Sequence, residues 1–194
     1  NIDVNEINIE ENDQEINKKL TALHLAVEKE QIEIIKILLK SKNINMNPIE
    51  YDTIGLYENY EKTPLFIAVE KENHQIVELL LSKEDIDPNI IYHYYHYIMV
   101  EDGFNHDKSI MKITPLQLAI MKENQAIIQT LLKNKTIDIN YIGYLYISHQ
   151  NERGFNFGDK LNKTALHMAV EKNNFDIVKM LLSYEGIDVN TVSI

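Results

Sequence analysis

Thr63-Pro64-Leu65-Phe66-Ile67-Ala68-Val69 and Thr114-Pro115-Leu116-Gln117-Leu118-Ala119-Ile120 share one pattern, a threonine, a proline, a leucine and then an alanine. Thr21-Ala22-Leu23-His24-Leu25-Ala26-Val27 and Thr164-Ala165-Leu166-His167-Met168-Ala169-Val170 follow it with alanine in the proline's place. Each stretch ends, 23 positions after its threonine, on a second signature: Ile44-Asn45-Met46-Asn47, Ile86-Asp87-Pro88-Asn89, Ile137-Asp138-Ile139-Asn140 and Ile187-Asp188-Val189-Asn190. Four ungapped matches define repeated units at 21–47, 63–89, 114–140 and 164–190.

Each unit reads as two short antiparallel helices. Thr63 and Thr114 are placed to cap a helix with their hydroxyls, and Pro64 and Pro115 suit the first helical position, where no N–H is needed. Leu65, Ala68 and Val69 then fall on one face. The second helix carries Ile34, Ile35, Leu38 and Leu39 in the first unit and Ile177, Val178, Leu181 and Leu182 in the last. So small a pair cannot bury both stripes alone, and neighbouring pairs must stack.

These units resemble ankyrin repeats, through the T-P-L-H-x-A start, the I-V-x-x-L-L second helix and the D-V-N ending. The resemblance implies an all-α repeat solenoid, L-shaped in section, of stacked helix pairs with loops or β-hairpin insertions projecting from one edge. It also implies protein partners bound on the concave face. Two departures concern single positions. Glu30, Glu72, Glu123 and Asn173 stand where the family usually has glycine, and of these only asparagine accepts a left-handed backbone readily, which leaves the first three turns open. The histidine of the opening turn is kept at His24 and His167 but is Phe66 and Gln117 elsewhere.

The third departure is length. Successive threonines lie 42, 51 and 50 residues apart, against about 33 in the family. The segments outside the units, 6–20, 48–62, 90–113 and 141–163, hold 77 of the 194 residues but ten of the eleven tyrosines and three of the five phenylalanines. Disordered linkers are poor in aromatics, so these segments are expected to fold. In the two longest, a β-rich run (90–100 and 141–147) precedes Glu101-Asp102-Gly103-Phe104-Asn105 or Glu152-Arg153-Gly154-Phe155-Asn156. Strand, glycine turn and strand make a hairpin, and hairpins one unit apart are placed to pair edge to edge or to pack aromatic faces. Ile2-Asp3-Val4-Asn5 is a further closing signature, and the chain reads as a piece of a longer array.

Composition narrows the function. With 19 basic and 30 acidic side chains the net charge is −11, and no basic run supplies a face for nucleic acid or anionic membrane. No apolar stretch is long enough to span a bilayer, and residues 1–15 are no signal peptide. The absence of cysteine excludes disulfides and thiol chemistry and fits a reducing compartment, cytoplasm or nucleus. Nothing matches a phosphate loop, a dinucleotide fingerprint, H-E-x-x-H or G-x-S-x-G, so no catalytic residue and no cofactor is assigned. His93 and His96, with a third ligand such as His106, are of the residue type that binds zinc, but positions three apart on a strand face opposite ways, and no metal site is assigned. His24 and His167 are expected to close their opening turns and not to act as bases.

The expected function is non-enzymatic recognition of a protein partner. Residues eight and nine of each unit, Glu28-Lys29, Glu70-Lys71, Met121-Lys122 and Glu171-Lys172, line the groove in the family, and Met121 stands out as apolar among acids. With the insertion aromatics Tyr92, Tyr94, Tyr95, Tyr97, Phe104, Tyr144, Tyr146 and Phe155 they form the candidate partner-binding set, centred on the third unit. Two other readings stay open: a spacer or self-associating scaffold with hairpin edges paired between molecules, and a regulatory module of an enzyme whose catalytic domain lies elsewhere.

Overall fold

A computed structural model describes residues 3–11, 17–54, 58–99, 106–150 and 156–192. Four times along the chain a hairpin precedes a helix pair. The first set is β1 (Ile7–Glu11), β2 (Asn17–Thr21), α1 (Ala22–Glu28) and α2 (Ile32–Leu38). The second is β3 (Glu50–Ile54), β4 (Glu58–Lys62), α3 (Pro64–Glu70) and α4 (His74–Leu81). The third is β5 (Tyr92–Met99), β6 (His106–Ile113), α5 (Pro115–Met121) and α6 (Gln125–Leu132). The last is β7 (Gly143–Gln150), β8 (Asn156–Lys163), α7 (Ala165–Glu171) and α8 (Phe175–Leu182).

The helix pairs begin as their residues dictate. Thr21, Thr63, Thr114 and Thr164 each accept a hydrogen bond from the backbone N–H three residues on, and Pro64 and Pro115 open their helices. Each first helix ends in a turn closed by paired backbone bonds, as where Glu72 N–H reaches Val69 O and Asn73 N–H reaches Ala68 O. That closure needs a left-handed residue, and Glu30, Glu72, Glu123 and Asn173 supply it at φ of 52°, 57°, 56° and 53°. The family's turn is therefore kept without its glycine. A non-glycine residue there costs about 1–2 kcal/mol, and at the three glutamates the next unit offers an offset. Asn73 donates to Glu30 at 2.7 Å, Asn124 to Glu72 at 3.2 Å and Asn174 to Glu123 at 3.0 Å.

A second set of links runs along the closing signatures. Asn5, Asn47, Asn89 and Asn140 each use one carboxamide to clasp the following unit, donating to a carbonyl and accepting from an N–H. Asn47, for example, donates to Asp85 O and accepts from Asp87 N–H, both at 2.8 Å. The same two bonds join Asn89 to Thr136 O and Asp138 N–H. Between these polar seams lies the core, in which Leu23, Leu65, Ile76, Leu80, Ile120, Ile127, Leu131 and Leu181 are buried.

The all-α description does not hold. The four hairpins join into one eight-stranded antiparallel sheet in the order β1 to β8. The physical reason is a match of spacings: packed helices lie roughly 8–10 Å apart, and two strands occupy about 9.6 Å at a strand spacing of about 4.8 Å. Stacking the helix pairs thus brings β2 to β3, β4 to β5 and β6 to β7 within hydrogen-bonding reach. Tyr60 lies opposite Tyr94, and Met111 opposite Leu145, across those junctions. The pairing also reaches the two shorter insertions, which carry no aromatic run as dense as that of β5.

Candidate concave binding site

The opening turns fasten the sheet to the helices, and they do so in three different ways. His24 accepts from Thr21 N–H through Nδ1 at 3.1 Å, which leaves Nε2 to carry the proton and donate to Pro48 O at 3.1 Å and Lys62 O at 3.3 Å. The ring is fully buried and its lone pair is occupied, so it is a clamp, as expected. Gln117 reproduces that clamp: Oε1 accepts from Thr114 N–H at 3.1 Å, and Nε2 donates to Tyr141 O at 3.0 Å and Lys163 O at 2.9 Å. Phe66 makes none of these bonds and instead stacks on Tyr92, with ring centroids 4.3 Å apart and planes 14° from parallel. The residue met on the strand varies with the turn residue: Tyr92 against Phe66, and Gly143 against Gln117, where a Cβ would come within 2.6 Å of Oε1.

This fixes the two faces of the sheet. Tyr92, Gly143 and their alternates point toward the first helices of the pairs, so Tyr60, Tyr94, Met111 and Leu145 form a directly opposed row on the concave side. Tyr60, Tyr94 and Met111 pack against the core from there. Tyr95, Ile110 and Tyr146 form another opposed row on the outward face. The sixteen candidate residues thus do not make one surface. Tyr92 is corrected from a surface anchor to a core residue, only 7% exposed. Tyr94 is concave, whereas Tyr95 and Tyr146 alternate onto the outward face; Tyr144 shares their parity but also borders a cleft at the third unit. Tyr97 lies in β5, but its side chain is outside the described residues, as are Phe104 and Phe155 altogether.

At the groove, residues eight and nine sit at the ends of α1, α3, α5 and α7. Several are held by ion pairs: Glu70 to Lys62 at 2.8 Å, Glu171 to Lys163 at 2.5 Å, Lys122 to Glu72 at 3.5 Å and Lys172 to Glu123 at 3.4 Å. Asn174 and then Lys172, bonding the Glu123 carboxylate, hold its pKa below the ordinary glutamate value. Lys62 also lies 4.5 Å from the Tyr60 ring centroid. Glu28, half-buried, and Lys29 and Lys71, both exposed, occupy the corresponding ends of α1 and α3.

The third unit breaks this pattern. Lys62 and Lys163 precede their threonines and reach the glutamates eight residues on, but the corresponding pair in the third unit is Ile113 and Met121. Where Lys62–Glu70 and Lys163–Glu171 bridge strand and helix in the second and fourth units (the first has Leu20 in the lysine's place), a cleft of about 260 Å³ opens here. Met111, Ile113, Met121, Leu145 and Met168 give it an apolar lining, and Gly143, Tyr144, Lys163, Glu171 and Lys172 border it. Met121 is 38% exposed at its mouth. Of the residues around this cleft, the candidate set from sequence holds Met121, Tyr144, Glu171 and Lys172 but not Met111, Ile113, Leu145 and Met168. Reading position minus one together with position eight in each unit would have found Ile113.

No group of three or more histidine, aspartate or glutamate side chains able to hold a metal occurs among the described residues. His93 lies instead 3.3 Å from the Glu61 carboxylate. No described helix is long and apolar enough to cross a membrane.

Four stacked helix pairs bordered by one antiparallel sheet define a repeat solenoid. The family model for ankyrin repeats (3 copies) matches residues 2–92 and 95–193, and the chain belongs to the ankyrin repeat family. Ankyrin repeats are generally protein–protein interaction modules, and the family is generally non-catalytic. Comparison with curated proteins finds no match.

Proposed function

We propose that the chain is a non-enzymatic recognition module that holds a protein partner on its concave side, between the ends of α1, α3, α5 and α7 and the facing rows of the sheet. The observation that carries this reading is the cleft at the third unit, the place where the bridging ion pair of its neighbours is replaced by Ile113 and Met121. Three methionines in one apolar recess give a soft, adaptable contact surface. The test is a paired affinity capture with the intact chain and with a version whose outer hairpin halves, residues 96–109 and 147–159, are replaced by short turns. Such cuts spare Tyr92, Ile113, Gly143 and Lys163, which fasten the sheet to the helices. A protein held by both versions, and lost on Met121→Glu, supports the groove; one held only by the intact chain assigns recognition to the hairpins.

A second reading rests on the sheet edges. Among the described residues β1 and β8 each pair on one side only, and an open edge is a template for another strand. A self-associating scaffold would grow in mass with concentration in light scattering, whereas a recognition module would not.

A further inference from the structure

Resting on the groove reading, we propose that the third-unit cleft is an anchor pocket for one large apolar side chain of a basic protein segment, and that positions 113 and 121 together set this specificity. Size is the first ground. A volume of about 260 Å³ falls below the roughly 300–1,000 Å³ of small-molecule sites and suits a single side chain with its adjoining backbone. Chemistry is the second. The lining atoms are aliphatic and thioether, and the charged border groups are already engaged, Lys163 with Glu171 and Lys172 with Glu123. A charged side chain would enter with no free counter-charge, whereas an aromatic or long aliphatic one would meet three polarisable sulfurs.

The basic character of the flanks follows from charge. The chain carries −11 overall, and the insertions before the first and second units, 6–20 and 48–62, are each −3, against +1 for 141–163. Lysines or arginines beside the anchor therefore meet an attractive field on the side of the earlier units, which favours encounter and choice of partner. Unit two makes the internal control. There the corresponding strand and helix positions are bridged by Lys62–Glu70, whereas Lys163–Glu171 of unit four forms the far border of the cleft itself.

The chain reports on its own pocket. Three of its six methionines line the cleft, and Met46 and Met180 lie away from it. With methyl-¹³C methionine in the full chain, three short synthetic peptides are titrated: a phenylalanine flanked by lysines, the same with glutamates, and the lysine peptide with serine for phenylalanine. The lysine–phenylalanine peptide is expected to shift the Met111, Met121 and Met168 methyls, to leave Met46 and Met180 in place, and to bind at least about tenfold more tightly than the other two. Met121→Leu should keep that binding and Met121→Glu should lose it. Ile113→Lys combined with Met121→Glu should abolish it by restoring the bridge; should that pair fail to fold, the exposed single substitution decides. No methyl shift at millimolar peptide, equal shifts at Met46 and Met180, or equal binding of the glutamate peptide overturns the pocket. Recognition elsewhere on the concave side would still register in the paired capture.

Discussion

The second and third units share one order of elements and have opposite chemistry at two places. In the second, the opening turn is fastened by a dry stack of Phe66 on Tyr92, and Lys62–Glu70 closes the way to the groove. In the third, three hydrogen bonds of Gln117 do the fastening beside a glycine, and Ile113 with Met121 leaves a cleft. Threonine cap, left-handed glutamate and clasping asparagine are the same in both. The difference teaches that the scaffold is held by a few fixed contacts, whereas the residues between helix and strand vary in matched pairs.

The largest expected loss comes from breaking the dry pair. Phe66→Ala should cost about 4 kcal/mol in urea denaturation, because a fully buried ring is removed and Tyr92 loses its stacking partner. A loss under about 1 kcal/mol would mean that Tyr92 is held by the sheet alone. Gly143→Ala tests the polar pair by its sign. Alanine in a strand is usually favoured over glycine, but here the new methyl meets Gln117 Oε1 at 2.6 Å, so a loss of about 2 kcal/mol is expected. A gain would mean that Gln117 can leave its three bonds cheaply.

Those pairs explain what could be read in advance. The helix pairs were legible because apolar period, capping threonine and proline all lie within a few residues of one another. Hairpins in the two long insertions were legible from their aromatic and β-branched runs around glycine. Their union into a single sheet was not, because it depends on the match between helix and strand spacings and not on any local signal. The left-handed glutamates were hidden for a similar reason: what offsets their strain is an asparagine more than forty residues later, as Glu30 and Asn73 illustrate. At the site, Met121 was visible as an odd residue in a repeated column. The burial of Tyr92 was not, since alternation along β5 decides which ring faces Phe66.

Smaller effects sharpen what the units share. Thr63→Ala and Thr114→Ala should each cost about 1 kcal/mol, and by similar amounts, if the cap is independent of the neighbouring pair. Unequal denaturation midpoints would tie the cap to Phe66 or Gln117. The smallest effect concerns pH. Glu123 has a folded pKa lowered by Asn174 and Lys172, so its contribution is present above the ordinary glutamate value and is lost as pH falls through the depressed one. Melting temperatures measured from neutral pH into that range should fall less for Glu123→Gln than for the unaltered chain. Parallel curves would remove the carboxylate from the junction between the third and fourth units.

The agreement between two strands and one helix layer has a mechanical consequence. A solenoid tied only through its helices flexes like a coil spring, each layer opening a little. Here the layers are also stitched on one side by strand pairing, one residue pair between β2 and β3 and four at each of the two later junctions. Such a laminate resists stretching on the sheet side and yields on the opposite one, so bending is confined to a single direction, the one that opens or closes the concave side.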